Sequence, residues 1–380
     1  MVQQNEYLTW KHKDPHARAY RTLATAKAKD IALQLGISNP QREEVCLICH
    51  SDRIVASLQG KNYAVSDGVG CEGCHGGAKG WIGSHSRGWA TRAENVTAGM
   101  YPTHEPLARA HLCQSCHQSN VKRPLNHTLL GAGHPRLVFE LDTYTLSQPA
   151  HFRVDEDYRA RKPGTDSFNM WRAGQLNAAR IQMTNIIGHI GQDYGTAPDF
   201  ALFECFVCHQ PMSGKHNNKL GTAKTRSVPR LQTSALLMVQ ALAEAFVPDQ
   251  ARSVADSRMA LLQASLGGRT HVLNAAEQVL MTIDQIERAT ATILPDSASL
   301  KSLLRSIAQM GEAGLFVDFT AAEQAVTATA MTIALTDWDN SNRWNKPLNS
   351  LYQLIDKESR FAQQSLRDQF KKIRTLAGEN

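Results

Sequence analysis

No stretch of the 380-residue chain approaches the roughly 20 consecutive apolar residues of a membrane-spanning helix, so no transmembrane segment is expected. No basic arm gathers the charge either. The 41 Lys and Arg against 35 Asp and Glu leave a formal +6 spread along the sequence, which argues against nucleic acid as a partner. Strand signals are scarce: residues 53–58 (RIVASL) and 62–68 (NYAVSDG) are the only plausible short hairpin. The opening MVQQNEYLTWKHKDPHARAY lacks the charged, apolar, small-residue order of a signal peptide. Nor is any cysteine left for a disulfide between distant segments, because all eight lie in pairs three positions apart.

Those pairs are Cys46 and Cys49, Cys71 and Cys74, Cys113 and Cys116, and Cys205 and Cys208, and each is followed at once by a histidine. CLICH, CEGCH, CQSCH and CFVCH are four complete copies of the c-type haem attachment sequence. Residues three apart share one side of a helical turn, so two thiols can form thioethers with the vinyl edges of one porphyrin while the next histidine reaches the iron. His50, His75, His117 and His209 are therefore the expected proximal ligands of four covalently bound haem c groups. Structural zinc also uses paired cysteines, but has no need of histidine directly after every second one. A redox dithiol needs it still less.

Thioether-bound haem is joined to exported chains outside the cytoplasm. A periplasmic or extracellular location is expected, with a leader upstream and Val2 or Gln3 near the mature start.

The proximal histidines are spaced by 25, 42 and 92 residues, so three haems crowd together and the fourth stands apart. The fold expected is mainly α: a tetrahaem cytochrome c domain over residues 1–229 with little regular sheet, then a helical bundle without cofactor over 230–380. Asp14 beside Pro15 reads as a helix cap, and Gly36 as a stop. A helix is predicted from about Phe168 to His189. After Pro229, five amphipathic segments (231–246, 271–294, 299–311, 320–338 and 350–376) predict the bundle.

Eleven histidines remain as candidates for the second axial position. A second histidine saturates the iron for electron transfer, whereas an open position admits a small substrate. His16 lies near small Ala17 and Ala19; His85 follows a glycine run; NHTLLGAGHPRL presents His127 and His134; and His151 is held in reserve. Arg87, Arg136 and Arg153 stand beside such histidines as candidate propionate partners.

TWKHKDPHARAYRTL, CLICH, GVGCEGCHGGAKGWIGSH and CQSCH, in that order, resemble the multihaem cytochromes related to tetrahaem cytochrome c-554, whose haem stacking is shared by hydroxylamine oxidoreductase and pentahaem nitrite reductase. AGHPRLVFELDTY and FECFVCHQ are similar to a related group with an added helical C-terminal region. The resemblance implies that His16 and His85 are distal ligands, and extends less directly to His127 and His134. The chain departs from the pattern in having no cysteine before Cys46. The family includes a member with one five-coordinate haem.

Three functions follow as expectations. The first is an electron carrier between redox protein partners, with closely packed bis-histidine haems. The second is an oxidoreductase of small nitrogen or sulfur species at one open haem. The third is a subunit of a larger respiratory complex, a cytochrome filament or a homo-oligomer. No catalytic residue is assigned.

Overall fold

Helices carry the chain in the computed structural model, which describes residues 5–87, 90–151, 156, 166–191, 199–209, 230–338 and 341–378. Val2, Gln3, Arg153 and Pro229, singled out above, lie outside the described residues. The expected mainly α class holds. Among the described residues there is no strand, only isolated bridges between Asn120 and Arg123 and between Phe203 and Leu231. The hairpin expected at 53–68 is replaced by two 3₁₀ turns, Ala56–Leu58 and Val65–Asp67. Their backbone bonds close locally, Leu58 N–H to Val55 O at 2.9 Å and Asp67 N–H to Ala64 O at 3.0 Å, so no cross-strand ladder forms.

Two compact units divide at Asp166 and Ser167. The composition change at residue 229 is thus not where the units part. The Ser167–Gly191 helix buries residues on several sides, Gln175 and Asn177 among them, and needs covering there. It packs on Arg269–Thr290 and Ser234–Phe246, and these helices are what draw it into the second unit.

In the first unit the helices are short: Glu6–Lys13, Ala19–Thr22, Ala26–Gln34, Glu44–His50, Cys71–His75, Ile82–His85, Arg92–Thr97, Pro106–His117, His127–Gly131 and Leu141–Ser147. Among its described residues only Ala17, Leu23, Ala32, Leu47, Trp81, Ala110, Ala132 and Leu141 are buried apolar side chains. So thin a core for more than 150 residues fits a unit whose interior is completed by large flat cofactors. Polar ties do much of the local positioning. Asp14 caps the Pro15–Arg18 turn by accepting the His16 N–H at 3.0 Å, as Pro15 at the first helical position predicts. Gly36, at φ 70°, follows the end of Ala26–Gln34 in the left-handed region.

The second unit buries a continuous apolar core. The helices Ser234–Phe246, Pro248–Ala264, Arg269–Thr290, Ser297–Ala313, Phe319–Leu335, Asn345–Leu354 and Gln363–Gly378 surround Ser167–Gly191 or pack on one another. Arg180 fixes one seam with ion pairs to Asp284 at 2.5 Å and Glu287 at 3.0 Å. Asp296 and Ser299 form a reciprocal capping box, and Gly314 closes that helix at φ 78°. The segment expected as one helix over 350–376 is broken by a 3₁₀ turn at Glu358–Arg360. Pro248–Ala264 was not expected, since only Val254, Arg258 and Leu261 of that polar helix are buried.

Candidate functional site

All four motifs adopt the helical turn that their spacing requires. Cys46, Cys49 and His50 end Glu44–His50; Cys71, Cys74 and His75 make up Cys71–His75; Cys113, Cys116 and His117 end Pro106–His117. Cys205–Cys208 is a fourth short helix with His209 as its C-cap, and it lies in the second unit. No disulfide links the eight cysteines.

The three motifs of the first unit converge. Cys49 and Cys116 share a hydrogen bond across two motifs, which raises the Cys49 thiol and favours ionisation of Cys116. Burial, with the Cys113 thiol second, pushes Cys74 up to about 12. Burial also raises Cys46, Cys71 and Cys113. Arg123 ties the first motif to the loop after the third by donating from Nε to Ile48 O at 3.0 Å. These thiols are predominantly protonated and set close together, apart from the Cys116 member of the shared pair.

Three of the motif histidines, His50, His75 and His117, are held neutral. Burial lowers His50 and brings His75 and His117 to about 4. A metal requires that lone-pair state. His50 Nδ1 lies 3.0 Å from both Ala19 O and Thr22 Oγ1, so the tautomer that donates to Ala19 O leaves Nε2 as the ligand atom. His75 Nδ1 is enclosed and makes no hydrogen bond among the described residues.

Second histidines face two of these rings. His16 stands edge-on to His117 with ring centroids 5.8 Å apart and planes at 84°. His151 stands to His75 at 6.0 Å and 86°. Two imidazoles on opposite faces of one iron, each nitrogen about 2 Å from the metal, have centroids ~6 Å apart. The residues present therefore fit a haem iron. His134 acts electrostatically on His50, and its Nδ1 lies 2.8 Å from Pro135 O. Phe139 stacks on the His117 ring at 4.9 Å. Among the described residues, no three His, Cys, Asp or Glu side chains close into a cage for a bare ion.

The other expected sites lie differently. His85 is exposed at the end of Ile82–His85 and sets its ring on Trp81 at 5.5 Å. Trp81 in turn touches His75 at 6.3 Å. His127 is exposed at the start of His127–Gly131. Arg87 is exposed and Arg136 half-buried. The cations that act on the motifs are instead Arg109, beside Cys74, His75 and Cys113, and Arg123, beside Cys49 and Cys116. Arg109 stands two residues before His111 and Arg123 four before His127, and neither was singled out from the sequence.

Next to the fourth motif, Glu204 is buried and its Oε2 lies 3.4 Å from Arg230 Nε. Its backbone N–H donates to Arg230 O at 2.8 Å. Burial, then the Asp318 carboxylate, push Glu204 up to about 8 against the pull of Arg230 and Arg258. That buried group had no signal in the sequence beyond its place before Cys205.

No helix of the described residues is long and apolar enough to cross a membrane. The family model described as cytochrome c554 and c-prime matches residues 3–76, a span that takes in the first two motifs. No curated protein and no solved structure matches the chain. The family match supports a c-type cytochrome, a haem-based electron-transfer protein with its haem bound covalently.

Proposed function

We propose that the chain is an exported, periplasmic or extracellular, tetrahaem c-type cytochrome that passes electrons between redox protein partners. The observation that carries this reading is the convergence of three attachment motifs in one unit, each ending in a half-buried histidine held neutral. Haem bound there would supply the one-electron couple. The chain's own residues do the rest: Cys46 and Cys49, Cys71 and Cys74, Cys113 and Cys116, and Cys205 and Cys208 hold the porphyrin edges by thioethers. His50, His75, His117 and His209 take the proximal positions.

His16 would be the second ligand to the iron held by His117, and His134 to that held by His50. In both, Nδ1 is engaged by an oxygen, Asp14 Oδ1 at 2.7 Å or Pro135 O at 2.8 Å, which directs Nε2 outward. Saturated irons with short gaps between attachment edges suit electron transfer rather than substrate binding.

The reading is tested by expressing the chain behind an export leader in a cell competent for haem attachment. Pyridine haemochrome assay and intact mass are expected to give four haems per chain, with low-spin ferric spectra and carbon monoxide unreactive after reduction. A chain without covalent haem would overturn it. Rapid carbon monoxide binding by one haem would favour an open, substrate-reducing centre instead.

A further inference from the structure

We infer that His151 is the second axial ligand of the iron held by Cys71, Cys74 and His75. The inference rests on the reading that this motif carries haem, and names the group that closes it.

The geometry at His75 repeats that at His117. The His75 and His151 rings are 6.0 Å apart at 86°, and the His16 and His117 rings 5.8 Å apart at 84°. Two histidine pairs from four separate segments take the same perpendicular spacing, one that would accommodate an iron between two nitrogens.

The chain path brings His151 there by identifiable steps. Glu140 caps Leu141–Ser147, accepting the N–H groups of Asp142 at 2.9 Å and Thr143 at 2.8 Å. At the far end of that helix Gln148 Nε2 donates to Asp14 Oδ2 at 3.3 Å. Asp14 is the carboxylate that orients His16. One buried aspartate thus anchors the two segments that deliver His16 and His151.

The sequence neighbour His85 is placed for something else. His85 acts electrostatically on His75, but its ring lies on Trp81, and among the described residues the rings set against His75 are Trp81 and His151. The glycine-rich stretch after CEGCH thus brings His85 onto Trp81 rather than into ring contact with His75. The ligand comes from 76 residues beyond His75, so this iron ties the end of the first unit to its middle.

The test uses the haem-loaded full chain. His151→Ala is expected to keep the haem count of the unsubstituted chain while one haem turns from low to high spin by electron paramagnetic resonance or magnetic circular dichroism, and added imidazole restores the low-spin signal. His85→Ala is expected to leave the spin state of that iron unchanged. Unaltered low-spin content in His151→Ala at full haem count would overturn the inference and leave the tetrahaem reading standing. Loss of all covalent haem from the unsubstituted chain would overturn both. Should the alanine variant fold poorly, His151→Met keeps a ligand and is expected to raise one haem midpoint, whereas unchanged midpoints would overturn the assignment.

Discussion

Asp14 Oδ1 lies 2.7 Å from His16 Nδ1 and also accepts the His16 backbone N–H at 3.0 Å, so one carboxylate fixes both the turn and the ring. The hydrogen bond to Asp14 raises His16, and burial would raise Asp14 but for the His16 contacts that hold it below its usual range. The pair is a local device: residue 14 serves as cap and as ring orienter at once. A negative charge one bond from a metal-bound imidazole stabilises the oxidised iron.

Asp14→Asn keeps an oxygen that can accept the Nδ1 proton but removes the charge. The expected result is a rise in one haem midpoint of about 59 mV, one tenfold step for a one-electron couple, with the low-spin signal intact. Spectroelectrochemical titration reads it, and superimposable titrations for the two proteins would remove Asp14 from the tuning of that haem.

Glu204 gives the second unit a pH dependence. Its folded value, about 8, lies above the ordinary carboxylate value of 4.5, so the folded state binds the extra proton between those limits. Stability from this group is complete below about pH 4.5 and is lost as pH rises through 8, because the charged form is buried. The loss is on the order of a few kcal/mol. Thermal unfolding of the full chain from pH 5 to 9 is expected to show this fall, and Glu204→Gln to flatten it. An equally steep fall in the variant would assign the dependence elsewhere.

Periodic and strictly local features were legible from sequence. Phe168 to His189 reads as a helix because apolar residues recur all along it, and the observed Ser167–Gly191 exceeds it by one or two residues at each end. The Asp14 cap is equally local. Pro248–Ala264 escaped because one buried stripe of Val254, Arg258 and Leu261 is too thin a signal. The unit boundary escaped for another reason: residues 167–191 precede the composition change at 229, and only packing on Arg269–Thr290 and Ser234–Phe246 assigns them. The cysteine and proximal histidine positions follow from spacing alone, whereas His151 meets His75 by a loop closure of 76 residues that no pattern encodes. His85 was expected from its glycine run and from the resemblance, and its ring lies on Trp81.

Gly311 lies where two helices of the second unit meet, against the Phe370 ring. A Cβ there would run into the Phe370 ring, which is fully buried. Gly311→Ala is expected to destabilise the unit by roughly 1–3 kcal/mol through overpacking. Phe370→Leu in the same chain should recover part of that loss by giving the methyl room. Denaturant unfolding measures both, and an unshifted midpoint for Gly311→Ala would mean that the helices separate at no cost.

Gly68 joins the turn that carries His16 to the approach of the second motif. Its φ is 76°, and a Cβ built on it would lie 2.5 Å from His16 O. The neighbouring Val69 N–H donates to that same oxygen at 3.0 Å, while Val69 O accepts from Trp10 Nε1 at 2.9 Å. A side chain at 68 therefore meets two costs together, a left-handed backbone and a backbone oxygen already in use. Gly68→Ala is expected to cost ~1–3 kcal/mol. Because the oxygen belongs to His16, the strain should also displace that ring from His117, appearing as a high-spin fraction at one haem. Gly36→Ala is the control, since Gly36 has a similar φ of 70° with nothing near its Cβ position. It should lower stability without touching the spin state, and equal spectra for the two variants would show that the Gly68 contact does not position His16.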